Sequence, residues 1–105
     1  MSEIDGARVF QALGDATRRD MVERLTETPM SVSALAAPYD MTLTAVGQHL
    51  AILEAAGLVT TEKQGRVRVC KADTRGLSVL QNWLLDRRPP LERMLDRLGD
   101  SLDES

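Results

Sequence analysis

The hydrophobic period of this chain changes at Gly57, and that change restricts the fold more than any other feature. Before it, Leu43, Val46, Leu50 and Leu53 recur at i, i+3, i+7 and i+10, the spacing of a helix with one apolar stripe. After it, Leu58-Val59-Thr60-Thr61-Glu62 reads as a strand, Lys63-Gln64-Gly65 as a turn and Arg66-Val67-Arg68-Val69-Cys70 as the returning strand. Alternation puts Val67 and Val69 on one face and Arg66, Arg68 and Cys70 on the other, so the hairpin is expected to carry a basic rim.

The segments upstream are short helices separated by local stop and start signals. A first helix is expected over Ala7 to Leu13, with Val9, Phe10 and Leu13 on one side. Gly14 ends it, and Asp15 is placed to accept hydrogen bonds from the free amides of Thr17 or Arg18. The second helix runs from Ala16 to Leu25 with Met21, Val22 and Leu25 inward, and Pro29 stops it. Ser31 or Ser33 caps a third helix containing Val32, Leu35 and Ala36, which Pro38 keeps short. Thr42 is the expected N-cap of the fourth.

Beyond Asp73 or Thr74 a helix carrying Leu77, Leu80, Trp83 and Leu84 is expected to run until Pro89-Pro90 breaks it. A last helix then carries Leu91, Met94, Leu95, Leu98 and Leu102 on one stripe. The order helix-helix-helix-helix-hairpin-helix-helix predicts a mainly α fold with a small β-hairpin, a winged helix-turn-helix. One domain is expected over residues 1–105, with a core about 7–72 and C-terminal helices about 74–104. The middle of the chain suffices to close such a core, so the terminal helices leave apolar surface over. Phe10, Leu80, Trp83, Leu91, Met94, Leu95 and Leu98 are the candidates to bury it against a second copy with two-fold symmetry.

Charge supports a nucleic-acid surface only locally. The net charge is −3, yet residues 42–72 hold Lys63, Arg66, Arg68 and Lys71 against Glu54 and Glu62, the one segment with positive balance. The fourth helix turns Thr44, Gln48, Ala51 and Ala55 outward, with Ala45 beside them and no acid in its first turns. A small, uncharged, hydrogen-bonding face of this kind is what entry into a major groove requires. Arg66 or Arg68 could then reach the flanking phosphates or minor groove. His49, at the edge of the apolar stripe, could either bind a phosphate or pack; for Arg18 and Arg19, pairing with Asp15 or Glu23 competes with a DNA role.

Several classes are disfavoured. With one histidine and one cysteine there is no credible catalytic constellation, no phosphate loop and no set of metal ligands, so neither an enzyme nor a cofactor is expected. Cys70 alone forms no internal disulfide and reads as a small packing residue; a redox switch would need a lowered pKa and access. No apolar run approaches the ~20 residues of a membrane span, and Met1-Ser2-Glu3-Ile4-Asp5 lacks the charge and apolar stretch of a signal peptide. A soluble cytoplasmic protein is expected.

The same residues resemble the ArsR-like family of bacterial repressors. Phe10-Gln11-Ala12-Leu13-Gly14-Asp15-Ala16-Thr17-Arg18-Arg19 is similar to that family's ALGDPTR opening. Thr44-Ala45-Val46-Gly47-Gln48-His49-Leu50-Ala51-Ile52-Leu53-Glu54-Ala55-Ala56-Gly57-Leu58-Val59 resembles its PAVSQHLKVLREAGLV segment, and Lys63-Gln64-Gly65-Arg66-Val67-Arg68-Val69 matches its wing pattern in part.

The resemblance implies a homodimeric transcriptional repressor, released from a palindromic operator by a signal the sequence does not name. It places Thr42, Thr44, Ala45, Gln48 and His49 of the recognition helix, with Arg66 and Arg68 of the wing, against double-stranded DNA. Gly47 departs from the family's usual Ser and Cys70 from a frequent aromatic. Metal-sensing members carry cysteines in the third helix or Asp and His in the last helices. Here the third helix has no thiol or imidazole and the last two have no His or Cys, so a metal site would require two chains to pool Cys70 and His49. The competing expectation is a winged-helix protein-interaction module that does not touch DNA.

Overall fold

The computed structural model describes residues 4–103, and the side chains of the helix as far as residue 100, short of Leu102; Met1–Glu3 and the last expected helix position, Glu104, lie outside. Helices α1 (Gly6–Leu13) and α2 (Ala16–Glu27) are followed by a two-residue strand β1 (Met30–Ser31) and a short α3 (Val32–Ala36). Then come α4 (Leu43–Ala55), the hairpin β2 (Val59–Gln64) and β3 (Val67–Ala72), and α5 (Thr74–Asp103). None of the described helices is long and apolar enough to cross a membrane.

Local chemistry sets most of these boundaries. Asp5, Asp15, Ser31 and Thr42 each accept a backbone amide with the side chain, from Ala7, Arg18, Ala34 and Ala45. These caps satisfy donors that have no partner inside the helix. Gly57 closes α4 with φ +71°, where a Cβ would strike the Ile4 side chain.

The core is a single cluster. Val9, Met21, Leu35, Val46, Leu53, Leu58, Val59 and Cys70 are fully buried at its centre. α2, α3 and α4 meet there, and the base of the hairpin closes it. The sheet has three strands rather than two. β3 lies in the middle, with Met30 opposite Cys70 on one edge and Thr61 opposite Cys70 on the other. The sequence gives no sign of β1, because two residues are too short for a period to register.

Two further expectations are corrected, and a third holds for Arg68 and Cys70. Leu43 is 66% exposed, since the first turn of α4 overhangs the end of the core that Val46, Leu50 and Leu53 enter. Arg68 and Cys70 do share a face of β3, but it is the face toward the body. Cys70 is completely buried there, whereas Arg68 lies further out, beyond the core's edge. Finally, Pro89-Pro90 does not break the C-terminal helix: α5 is continuous for 30 residues, roughly 45 Å at the α-helical rise. Each proline removes the bond to a carbonyl four residues back, but Leu85 and Asp86, which bear those carbonyls, are exposed and open to water.

Only the first turns of α5 join the core. Asp73 is buried and accepts from the backbone amide of Arg75, while Arg75 grips both of its carboxylate oxygens at 2.7–3.2 Å. The bonds from the Arg75 side chain, more than any other influence, hold the Asp73 carboxyl below its ordinary range. Gly76 donates to the Gly57 carbonyl at 2.8 Å, and an added Cβ would stand 2.7 Å from that oxygen. Glycine is what allows α5 to seat on the α4–β2 turn.

Candidate nucleic-acid interface

α2, α3 and α4 form the frame that presents α4. Arg24 of α2 donates to the Leu35 and Ala34 carbonyls at 2.7 and 3.2 Å, satisfying the end of α3. α3 therefore sits as a fixed brace under the loop that leads into Thr42. The Thr42 hydroxyl then accepts the Ala45 amide at 3.1 Å and sets the direction of α4. With Val46, Leu50 and Leu53 anchored in the core, the opposite side of the helix faces outward.

That side carries Thr42, Thr44 and Gln48, all exposed, and Ala45, half-buried. No charged group lies on α4 before Glu54. The sequence reading turns Thr44 and Gln48 outward, and the structure leaves both exposed.

His49 turns elsewhere. Its Nδ1 lies 3.3 Å from Arg18 Nη1 and 3.9 Å from Asp15 Oδ2, at the start of α2. Arginine has no lone pair to offer, so a hydrogen bond in this contact requires His49 Nδ1 to accept, and the ring's tautomer sets which role it takes. Arg18 also donates to the Ala12 and Gln11 carbonyls at 2.8 and 3.2 Å, so one guanidinium holds the end of α1 and the middle of α4 together. The Arg18 backbone amide bonds the Asp15 carboxylate and is the chief reason that its pKa lies below the ordinary value. The sequence places Arg18 near Asp15, but nothing in it points to His49, 31 residues away.

In the wing, β3 begins at Val67, so Arg66 belongs to the turn, beside Gly65 at φ +64°. Strand alternation therefore does not relate its direction to that of Arg68. Both arginines are exposed. Arg68 donates to the Thr61 hydroxyl across the hairpin at 3.0 Å. With Thr61 it forms one wall of a cleft of about 260 Å³, whose other walls are Val32 and the Gly47, Leu50, Ala51 and Glu54 positions of α4. A helix and a basic hairpin thus flank a common groove.

The expected dimer residues fall into two groups. Phe10 and Trp83 already pack edge to face within one chain, ring centroids 5.1 Å apart, and each keeps about 40% of its surface exposed. Arg87 covers the Trp83 ring at 4.0 Å. Leu80 lies against the core, whereas Leu91, Met94, Leu95 and Leu98 are at least half exposed along α5. Among the described residues no group of three His, Cys, Asp or Glu is placed to hold a metal ion.

A family model described as a helix-turn-helix domain matches residues 8–62, more than half of the chain. The HTH-type transcriptional regulator Rv2034 of Mycobacterium tuberculosis is 43% identical over 77 residues, which span 73% of this chain and 72% of that protein. The transcriptional repressor SdpR of Bacillus subtilis is 27% identical over 74% of this chain and 87% of its own. Among solved structures, an ArsR-like transcriptional regulator from Rhodococcus sp. RHA1 superposes with a TM-score of 0.72 at 30% identity, covering 90% of each chain. The chain belongs to the ArsR-like family of winged helix-turn-helix transcriptional regulators. Its fold and its relatives are those of DNA-binding regulators, not of enzymes.

Proposed function

We propose that this protein is a single-domain, cytoplasmic repressor that binds a palindromic operator as a homodimer. The observation that carries the reading is the exposed N-terminal half of α4, free of acidic and basic side chains before Glu54, on a helix whose later turns share a cleft with Arg68 of the wing. In this reading Thr42, Thr44, Ala45 and Gln48 meet base edges and backbone in the major groove, and Arg66 and Arg68 neutralise phosphates beside it. His49 keeps Nδ1 on Arg18 and offers Nε2–H to a phosphate. The half-exposed leucines of α5, with Phe10 and Trp83 of the α1–α5 contact, supply the apolar surface for a second copy. Two-fold pairing would present two recognition helices to two half-sites. Repression is supported by the likeness to SdpR, itself a repressor.

The test is binding of the chelator-treated protein to DNA from upstream of its own gene, titrated against salt with unrelated DNA as control. Selective, salt-sensitive binding is expected. Arg66→Ala and Arg68→Ala, which each remove one charge from the phosphates, should each flatten the log–log salt slope by about one. Gln48→Ala should instead relax sequence preference. Failure to bind any DNA at low salt would overturn the reading in favour of a protein-interaction module.

A further inference from the structure

The position of Leu43 has a chemistry of its own. It is the first residue of α4, directly after the Thr42 cap, and the core cluster and its half-buried border are complete without it. Around it lie exposed Thr42 and Thr44, and Gly47, where an added Cβ would meet nothing within 4 Å. At 100° per residue Leu43 stands about 40° from Gly47 around the helix, so no side chain shields it one turn along. A four-carbon apolar branch therefore projects from an otherwise small, neutral, hydrogen-bonding first turn, the part of a recognition helix that penetrates deepest.

A leucine can neither neutralise a phosphate nor hydrogen-bond a base edge. The one apolar group that base pairs display in the major groove is the thymine 5-methyl. We infer that Leu43 is a specificity-determining residue that packs on a thymine 5-methyl in each half-site, with the Gly47 gap giving the base room to approach. The inference rests on the proposed reading of DNA by α4. Thr44 and Gln48 supply polar readout about 100° and 140° further round the helix, and Leu43 adds discrimination between thymine and any base without that methyl.

The experiment begins with duplexes selected by the wild-type protein from a random library. Each thymine of the selected site is then replaced in turn by uracil, which deletes the methyl and leaves the pairing intact. The expected result is one thymine per half-site where uracil weakens wild-type binding roughly fourfold, the factor for one buried methyl-sized group. Leu43→Ala should bind the thymine and uracil duplexes equally at that position, with an unchanged salt slope. Its fold should be unaffected, since the side chain lies outside the core. Equal thymine preference in wild type and Leu43→Ala, or no uracil-sensitive position at all, would overturn the inference while leaving DNA binding in place. If no duplex is bound at low salt, the reading beneath it fails as well, so the two failures are distinct.

Discussion

Arg18 Nη1 lies 3.3 Å from His49 Nδ1 and so joins the start of α2 to the middle of the recognition helix. The same side chain bonds two carbonyls at the end of α1, which makes it the strut between the element that carries Phe10 and the element proposed to read DNA. Arg18→Ala leaves the Ala12 and Gln11 carbonyls and the His49 ring with fewer partners, while the backbone amide that bonds Asp15 remains. A loss of about 1–3 kcal/mol is expected in urea unfolding, the usual cost of removing one partner from part-buried polar groups. His49→Ala removes a single hydrogen bond and should cost less than Arg18→Ala.

The seat of α5 depends on Gly76. A methyl group there would collide with the Gly57 carbonyl, which is backbone and cannot rotate away. Gly76→Ala should therefore destabilise by about 1–3 kcal/mol, as overpacking does, although alanine is the better helix former. Thermal unfolding checks this. A small rise in Tm, as propensity alone would give, would show that α5 can shift without cost.

Cys70 should be chemically quiet. Burial is the main influence raising its thiol pKa, Glu54 adds to it, and Arg68 only partly opposes them. The thiolate is thus disfavoured at neutral pH and the sulfur is out of reach of solvent. Reaction with a chromogenic disulfide reagent at pH 7 should proceed only as fast as the protein opens, and become immediate in denaturant. Rapid stoichiometric labelling of the native protein would contradict this and reopen a redox role.

Acid should weaken the protein partly through Asp73. Its folded pKa lies below the ordinary 3.8 because of Arg75, so the contribution is complete above that value and is lost as pH falls through the lower native one. Asp73→Asn should lower stability at pH 7 and flatten the fall in stability below about pH 4. Urea midpoints measured from pH 7 to pH 2.5 test both effects; an unaltered acid slope would assign the acid loss to other carboxylates.

What the sequence determined by itself is what neighbouring residues settle among themselves. The caps at Asp15, Ser31 and Thr42 are hydrogen bonds spanning three residues, and each is legible because the acceptor side chain and the amide it serves lie within one turn. The change of period at Gly57, and the pairing of Arg68 with Cys70 on one strand face, follow likewise from local geometry. Tertiary structure decided which face is covered and where cover ends. Leu43 belongs to an apolar stripe in sequence yet stands in solvent because nothing lies over the first turn of α4, whereas Cys70 is buried because its strand face packs into the helical core, with Met30 paired beside it as an unexpected third strand. Arg18 acquires its His49 partner only when α2 and α4 pack, and the proline pair stays helical because exposed carbonyls at residues 85 and 86 can turn to water. A periodic pattern ranks the sides of an element, but burial is a sum over segments distant in the chain, and only folding brings those segments together.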